Sequence, residues 1–280
     1  MSDKPNQQSA PQLCKLAAAQ QGGDRGAQLW GVQFDGTVNT MYQITPGGSW
    51  SPWMGSDWAG PGFPEQTFDL AAAQQNNGCV QFWGLDANLA LWTTSQSSPG
   101  GNWVPWSGPN WNNAPNGMKR LAACRQGNNK GSLLWGISQD YSLVSCKQTT
   151  SGGQWSAWQN WPDTPEKSQF IGIAAAEQNG HDQLWALDTK RQLWFCWQSD
   201  QGGSFSPWHG PNWGGAPSLA NITACQQGGT RGTQIWGTTP DSELITNFQT
   251  TPGGNWNGMN APQVYQLTAA PAASNSGRSP

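Results

Sequence analysis

A tryptophan-marked repeat of roughly 50 residues constrains the fold of this chain more than any other feature. Five tryptophans are separated by 53, 52, 50 and 51 residues: Trp30, Trp83, Trp135, Trp185 and Trp236. Five glutamines keep the same separations: Gln43, Gln96, Gln148, Gln198 and Gln249. From each of these tryptophans the next 24 positions run without a gap in any copy, so all length variation falls between copies. Self-similarity at this period is typical of solenoids and propellers.

Within each copy the apolar residues alternate with period two, which predicts strands rather than helices. The first copy contains "AQLWGV" at residues 27–32, a turn at Asp35-Gly36, and a second strand starting at Val38. A Gly-Gly pair then reverses the chain into "WSPW" at residues 50–53. Upstream, "LAAA" at residues 16–19 supplies a strand of small side chains. Each copy is therefore predicted to form four strands.

Five copies of a four-stranded unit predict an all-β, five-bladed β-propeller of antiparallel blades, with the small-residue strands around the axis. The predicted segments are a polar N-terminal stretch 1–12, a propeller domain 13–270 with repeats 13–67, 68–119, 120–170, 171–219 and 220–270, and a disordered tail 271–280. A linear solenoid is the alternative, but solenoids have atypical terminal repeats. Here the first and last copies resemble the others. Gln266–Ala270, "QLTAA", begins a sixth copy of the inner-strand pattern, so exchange between the chain ends could close the ring.

Charge and composition exclude several function classes. A net charge of −3 argues against nucleic acid partners, which require clustered Lys and Arg. No apolar run reaches the roughly 18 residues that span a bilayer, and the segment from Met1 to Gln12 is polar and contains no hydrophobic signal segment. We therefore expect a cytoplasmic protein, and release from the cell would follow a non-classical route. The six cysteines form no C-x-x-C pair and are expected to be buried, reduced thiols. His181 and His209 each occur in a single copy, so neither a metal site nor a cofactor is predicted.

Tryptophans preceded by Asp or Asn in the connections between copies are the first candidate binding residues. The pairs are Asp57-Trp58, Asn110-Trp111, Asn160-Trp161 and Asn212-Trp213, and the fifth copy has "GMNAPQ" instead. An aromatic ring stacks on the C–H face of a pyranose while amides bond its hydroxyls, so this combination suits sugars. The other interpretation is that each loop ring fills a pocket in the protein.

The last tryptophans of the "WSPW" strands form a second set of sugar-binding candidates. This set is Trp53, Trp106, Trp158 and Trp208. The Trp30 column lies in the middle of a strand that must pack on its neighbours, so it is interpreted as core. The Gln43 column is interpreted as holding a buried backbone group.

Two motifs in the later copies resemble a known family. Copy 4 reads Leu193-Trp194-Phe195-Cys196-Trp197-Gln198 followed by Phe205-Ser206-Pro207-Trp208, and copy 3 has "WSAW" at 155–158. This resembles the fucose-binding β-propeller lectins of insect-pathogenic bacteria, whose blades run L-W-x-x-W-Q and then W-S-x-W, and more distantly the tectonin-type propeller lectins. The resemblance implies glycan partners, with fucosylated or O-methylated sugars as candidates. Those lectins have seven blades, and their second-strand carboxylate is here Gln28, Gln81, Gln183 or Gln234, with Leu133 in copy 3.

The sequence therefore predicts a multivalent lectin, of the kind assayed as a hemagglutinin, with no catalytic residues. Four sites are expected if the Asx-Trp loops build them, and five if the gapless core does. A protein-interaction propeller of the kelch type is the alternative, and a glycosidase is the third hypothesis. The sequence leaves the oligomeric state of the protein open, and a homo-oligomer is one of the possible states.

Overall fold

The computed structural model describes residues 13–22, 25–45, 49–55, 58, 66–127, 130–161, 164–165, 169–226, 232–241 and 243–259. These residues form sixteen strands and two short 3-10 turns. The strands are β1 (Leu13–Gln20), β2 (Ala27–Gln33), β3 (Val38–Tyr42), β4 (Asp69–Gln74), β5 (Val80–Leu85), β6 (Leu91–Ser95), β7 (Arg120–Arg125), β8 (Ser132–Ile137), β9 (Leu143–Lys147), β10 (Gln159–Asn160), β11 (Phe170–Gln178), β12 (His181–Asp188), β13 (Leu193–Trp197), β14 (Asn221–Gln226), β15 (Thr233–Thr238) and β16 (Leu244–Phe248). The 3-10 turns span Trp111–Asn113 and Trp213–Gly215.

The strands are grouped into five antiparallel sheets, one for each sequence repeat. Each sheet runs in chain order from an inner strand of small residues through the tryptophan-bearing strand to a third strand. The register repeats too, because a small inner residue always faces the column tryptophan, as Ala17 faces Trp30 and Ala71 faces Trp83. The prediction of an all-β chain built from repeated antiparallel units is confirmed. The fourth sheet begins at Phe170, one residue before the predicted boundary.

The predicted fourth strand is regular only in the third sheet of the described residues, where β10 pairs with β9. There the Trp161 N–H donates to the Leu143 carbonyl at 2.8 Å. Counted from the last residue of the "WSPW" motif, the same position is Pro109 in the second repeat and Pro211 in the fourth, and proline has no N–H to donate. Elsewhere the segment is held by isolated bridges such as Gln96↔Trp103.

The glutamine column is structural in all five copies, as the sequence predicted. Each Oε1 accepts a hydrogen bond from a backbone N–H in the first two residues of the second strand, at Ala27, Val80, Ser132, Asp182 and Thr233, over 3.0, 3.0, 2.8, 3.1 and 3.3 Å. In the fourth sheet Nε2 of Gln198 also donates to the Gly203 carbonyl in the Gly-Gly hairpin. The amide thereby ties the second strand to the hairpin within one repeat.

Apolar side chains fill the junctions between successive sheets, so the core is divided into four clusters. Trp30, Trp83, Trp135 and Trp185 are each 0% exposed, and each packs on aromatic residues of the following sheet. This confirms that the column is core. Trp236 of the fifth sheet is only half-buried.

The five inner strands line a central cavity of about 370 Å³. Each inner strand lies against that of the next sheet, from β1 through β4, β7 and β11 to β14. All six cysteines are free, but only four are buried. Cys14 and Cys225 are exposed, contrary to expectation, because they lie on β1 and β14, the two strands at the ends of this series.

The buried carboxyl of Asp182 predicts a specific pH dependence of stability. Its Oδ1 lies 3.5 Å from Cys124 Sγ, and burial raises the pKa of the carboxyl to about 8. Because the folded state then holds a proton that the unfolded chain releases near pH ~4, raising the pH from about 4 to 8 lowers the free energy of unfolding. We expect Asp182→Asn to remove this loss.

Thermal melts of wild type and Asp182→Asn at about pH 5 and pH 8 test this prediction. The melting-temperature advantage of the variant should be larger by several degrees at the higher pH. Burial also raises the pKa of the Asp69 carboxyl, but Asp69 is present in both proteins and cancels in the comparison. An advantage that stays equal at the two pH values would contradict the assignment.

Candidate functional site

The four loop tryptophans predicted as ligand contacts occupy equivalent positions between successive sheets. Each is half-buried and lies between the column tryptophan of its own sheet and the first aromatic residue of the next "WSPW" motif. At the junction of the second and third sheets, Trp111 lies 6.4 Å from Trp83 and 5.0 Å from Trp155, ring centroid to centroid. The contact with Trp155 is edge-to-face, at 81°. Such contacts stabilise beyond the burial of their area.

The same three-ring arrangement recurs at the other three junctions. The edge-to-face contacts are Trp58–Trp103 at 5.0 Å and 86°, Trp161–Phe205 at 4.7 Å and 78°, and Trp213–Trp256 at 4.8 Å and 85°. Trp161 reaches this position although it follows Trp158 by only three residues, whereas Trp111 follows the equivalent Trp106 by five. The loop rings are therefore wedges between sheets, and this packing is their first role.

The residues that precede the loop tryptophans do not share one environment. Asn110 and Asn212 are exposed and have left-handed backbone angles, with φ of 57° and 60°. Asparagine tolerates this conformation better than most residues, which accounts for its presence before the wedge without a ligand. Asn160 lies instead at the end of β10 and is exposed. Asp57 lies outside the described residues.

The second predicted set lies deeper in the junctions than expected for a ligand surface. Trp106, Trp158 and Trp208 are half-buried and pack into the clusters with the preceding sheet. Trp208, for example, lies 5.1 Å from the ring of Phe170 in its own sheet and belongs to the cluster that contains Trp135 of the preceding sheet. Trp53 has no preceding sheet among the described residues and belongs to none of the four clusters.

An open cavity of about 550 Å³ lies between the second and third sheets, beside the Trp111 wedge. Its lining includes Gln75, Gln81 and Thr93 of the second sheet, and Trp155 of the third. Gln75 Nε2 donates to Gln81 Oε1 at 2.9 Å, and Gln81 Nε2 donates to Thr93 Oγ1 at 3.1 Å. One wall is thus aromatic and the other is a chain of amides and a hydroxyl.

A second cavity, of about 510 Å³, occupies the equivalent place between the fourth and fifth sheets. Gln178, Gln183, Trp213 and Trp256 take the positions of Gln75, Gln81, Trp111 and Trp155. Gln183 Nε2 donates to Gln178 Oε1 at 3.0 Å, which repeats the amide pair with donor and acceptor exchanged. Repetition at two separate junctions indicates a built feature of the repeat.

The two cavities differ in one wall. Where the first has Thr93, Ser95 and Ser107, the second has Phe195, Trp197 and His209. These three rings are stacked, with Phe195 and Trp197 at 5.4 Å and 23° and Trp197 and His209 at 4.6 Å and 27°. The second cavity therefore offers a wider aromatic surface, and the first offers more hydroxyls.

Buried amide atoms that face these cavities have spare hydrogen-bonding capacity. Gln75 Oε1 has no hydrogen-bond partner among the described residues, and neither do Gln178 Nε2 and Gln183 Oε1. A buried polar atom without a partner costs about 1–3 kcal/mol, so a ligand hydroxyl or water that reaches it is favoured. Burial also raises the pKa of the Cys79 thiol in the first cavity, so that thiol is neutral at pH 7.

Sequence reasoning missed the amides of these cavities as site residues. Gln81 and Gln183 were recognised only as replacements for a family carboxylate, and Gln75 and Gln178 were not singled out. Gln178 is the last residue of its inner strand, and Gln21, Gln75 and Gln126 directly follow theirs, so this column was a signal that could have been used. The first "WSPW" aromatics, here Trp155 and Trp256, were also left out of the predicted set.

Comparison with solved structures finds many similar folds, and several of them are lectins, including the three that follow. The BP39L lectin from Burkholderia pseudomallei is 21% identical, with a TM-score of 0.58 over 87% of this chain and 68% of that one. SapL1 lectin, solved in complex with alpha methyl fucoside, is 15% identical, with a TM-score of 0.60 over 88% of this chain and 81% of that one. The Aleuria aurantia lectin, a six-bladed β-propeller with a novel fucose recognition mode, is 13% identical, with a TM-score of 0.56 over 89% and 78%.

The fold of this chain is a β-propeller. The similarity covers 87 to 89% of this chain, and its low sequence identity makes it evidence of fold alone. No protein-family model matches the chain, and no curated protein matches it. Within the described parts of the propeller, no helix is long and apolar enough to cross a membrane, and no group of three or more His, Cys, Asp or Glu side chains is placed to hold a metal ion.

The wedge position of Trp111 predicts that its loss will weaken the fold as well as the cavity. Trp111→Ala should lower the free energy of unfolding by about 3 kcal/mol, because the substitution removes contacts with Trp83 and Trp155 at one junction. Chemical denaturation followed by circular dichroism measures this change. Phe34→Ala is the control, since Phe34 is 79% exposed and its loss should change little. Equal stability of both variants would show that the Trp111 ring serves only a ligand.

Proposed function

We propose that this protein is a multivalent, non-enzymatic lectin that binds glycans in the cavities between successive propeller sheets. The observation that carries the proposal is the repeated cavity, which combines paired glutamines with edge-on tryptophans at two junctions. Stacking surfaces beside directional hydrogen-bonding groups are what a pyranose requires, because one of its faces is apolar and its rim is polar. The Asx-Trp wedges then form the margin of each site, and the second tryptophan set supports it from beneath.

The placement of groups suggests how a sugar would be held. Its C–H face would lie against the rings at the cavity wall, Trp111 and Trp155 at one junction and Trp213 and Trp256 at the other. Its hydroxyls would reach the amides, where Gln75 Oε1 and Gln183 Oε1 can accept and Gln178 Nε2 can donate. An amide both donates and accepts, whereas a carboxylate only accepts, so these sites can bind hydroxyls without an ionic partner.

Fucosides are the first ligands to test. SapL1 was solved with alpha methyl fucoside and a variant of the Aleuria aurantia lectin with Fucalpha1-6GlcNAc, and both share this fold. Fucosylated and O-methylated glycans are therefore our leading ligand classes. The second cavity, with the ring stack ending in Trp197 and His209, is suited to a more apolar sugar face than the first.

Several weak sites on one chain would give useful strength by avidity. Millimolar to micromolar affinity at each site corresponds to roughly 4 to 8 kcal/mol, and simultaneous attachment to a glycan-covered surface multiplies it. We propose that the five sheets are the blades of a five-bladed propeller. Such a protein would agglutinate cells, as a hemagglutinin does.

A glycan array followed by calorimetric titration tests the proposal. We expect binding to a restricted set of sugars, and a stoichiometry of about four sites per chain if every described junction binds. A kelch-like scaffold would bind none of the sugars, and a glycosidase would release product from chromogenic glycosides. A stoichiometry of one would contradict a site built from the repeat.

Substitution of the cavity amide gives a sharper prediction for one site. Gln81→Leu removes both a donor and an acceptor from the cavity between the second and third sheets, so the measured stoichiometry should fall by one while the other sites keep their affinity. Gln139→Leu is the matched control, because Gln139 is an exposed turn residue. A variant that keeps every site would show that Gln81 does not contact the sugar.

A further inference from the structure

The front face of the fifth sheet, which is the face turned away from the fourth sheet, has no sheet packed on it in the described structure. Side chains of an inner strand alternate between the preceding and the following sheet. In β14, Ile222 and Ala224 pack against the fourth sheet, whereas Thr223 and Cys225 are exposed. Trp236 is on the same open face and is half-buried, while the equivalent tryptophans of the first four sheets are fully buried.

The back face of the first sheet, which is the face turned away from the second sheet, also has no sheet packed on it in the described structure. In β1, Ala17 and Ala19 pack toward the second sheet, whereas Leu16 is 58% exposed. Trp50 is 37% exposed, although its equivalents in the other four repeats all pack into a junction cluster. The two open faces thus correspond to the two halves of the other four junctions, because they are built from the same residue columns.

These halves do not meet within the described residues. Every inner strand from β1 to β11 lies against the inner strand of the following sheet, but β14 does not pack on β1 in this way. The central cavity extends across the open face, and its lining includes Trp236, Thr238 and Leu244 of the fifth sheet. An apolar strip of this kind is a docking surface that requires an occupant.

We propose that residues 266–270 of the same chain occupy this gap as a sixth inner strand. The sequence Gln266-Leu267-Thr268-Ala269-Ala270 matches Asn221-Ile222-Thr223-Ala224-Cys225 of β14 in polarity and size at every position. It lies in the 21 residues that follow Met259, the last residue described. The inference is independent of sugar binding and concerns how the ring is completed.

The chain length between the fifth sheet and this segment is sufficient. After each earlier "WSPW" segment the chain returns from the outer side of one sheet to the inner strand of the next. That path crosses three strand spacings, about 14 Å, and one sheet-to-sheet distance, about 10 Å. The seven steps from Met259 to Gln266 reach about 24 Å when extended, which covers the diagonal of these two distances.

Strand alternation fixes which contacts the segment makes. By the pattern of β14, Leu267 and Ala269 face the fifth sheet, and Thr268 and Ala270 face the first. Ala269 then lies opposite Cys225, as Ala224 lies opposite Ala176 one junction earlier, where both belong to one cluster. Leu267 covers the open face beside Trp236.

A cysteine introduced at position 269 tests this arrangement in the full-length chain. Ala269→Cys, in a Cys14→Ser background, should form an intrachain disulfide with native Cys225 under mild oxidation, identified by peptide mapping. The positive control is Ala176→Cys with Ala224→Cys and Cys225→Ser, which places the same pair at a described junction. Ala270→Cys is the negative control, because that side chain faces away from the fifth sheet and should not pair.

Three outcomes would overturn the proposal. They are the absence of a disulfide in Ala269→Cys when the positive control forms one, equal cross-linking of Ala269→Cys and Ala270→Cys, and an interchain bond alone. The last would show that a second copy covers the face. As an independent measure, Leu267→Asp should lower the melting temperature by several degrees, and Ala273→Asp, outside the matching segment, should not. Equal melting of these two variants would also contradict the proposal.

Discussion

The edge-to-face contact between a loop tryptophan and the first aromatic residue of the next sheet is the interaction on which this propeller depends. A three-stranded sheet of small and β-branched residues cannot bury enough apolar surface alone, so each repeat acquires its core from its neighbours. The Trp111–Trp155 contact and its equivalents join the sheets at four places with nearly the same separation and angle. The same rings form one wall of two of the cavities, so the packing of the sheets and the shape of these cavities depend on the same side chains.

The fold could be predicted from the sequence because every copy of the repeat satisfies the same local constraints. Gln43 and its four equivalents each hold a backbone N–H, and the Gly-Gly pair supplies the positive φ of the hairpin, as at Gly100. Period and alternation therefore identified sheets and register. The fourth strand was not predictable from periodicity, since its pairing depends on whether a proline such as Pro109 removes one donor.

The candidate site was only partly predictable, for a physical reason. A tryptophan in a loop looks the same in sequence whether it packs between sheets or meets a ligand, and Trp111 both packs between two sheets and lines a cavity. Asn110 seemed to add a polar contact, but its left-handed backbone is a sufficient cause for asparagine there. The amide pair of Gln75 and Gln81 comes from two strands, so the cavity is visible only once the strands are placed side by side.

Each cavity is shared by two repeats, and this sharing gives the propeller an unusual evolutionary freedom. A repeat supplies its front face to one cavity and its back face to another, so a substitution such as Phe195 or Trp197 in place of Thr93 or Ser95 alters a single cavity. Duplication of a repeat creates a new cavity whose two walls can have different histories. One chain can thus accumulate cavities that diverge separately while the scaffold remains uniform.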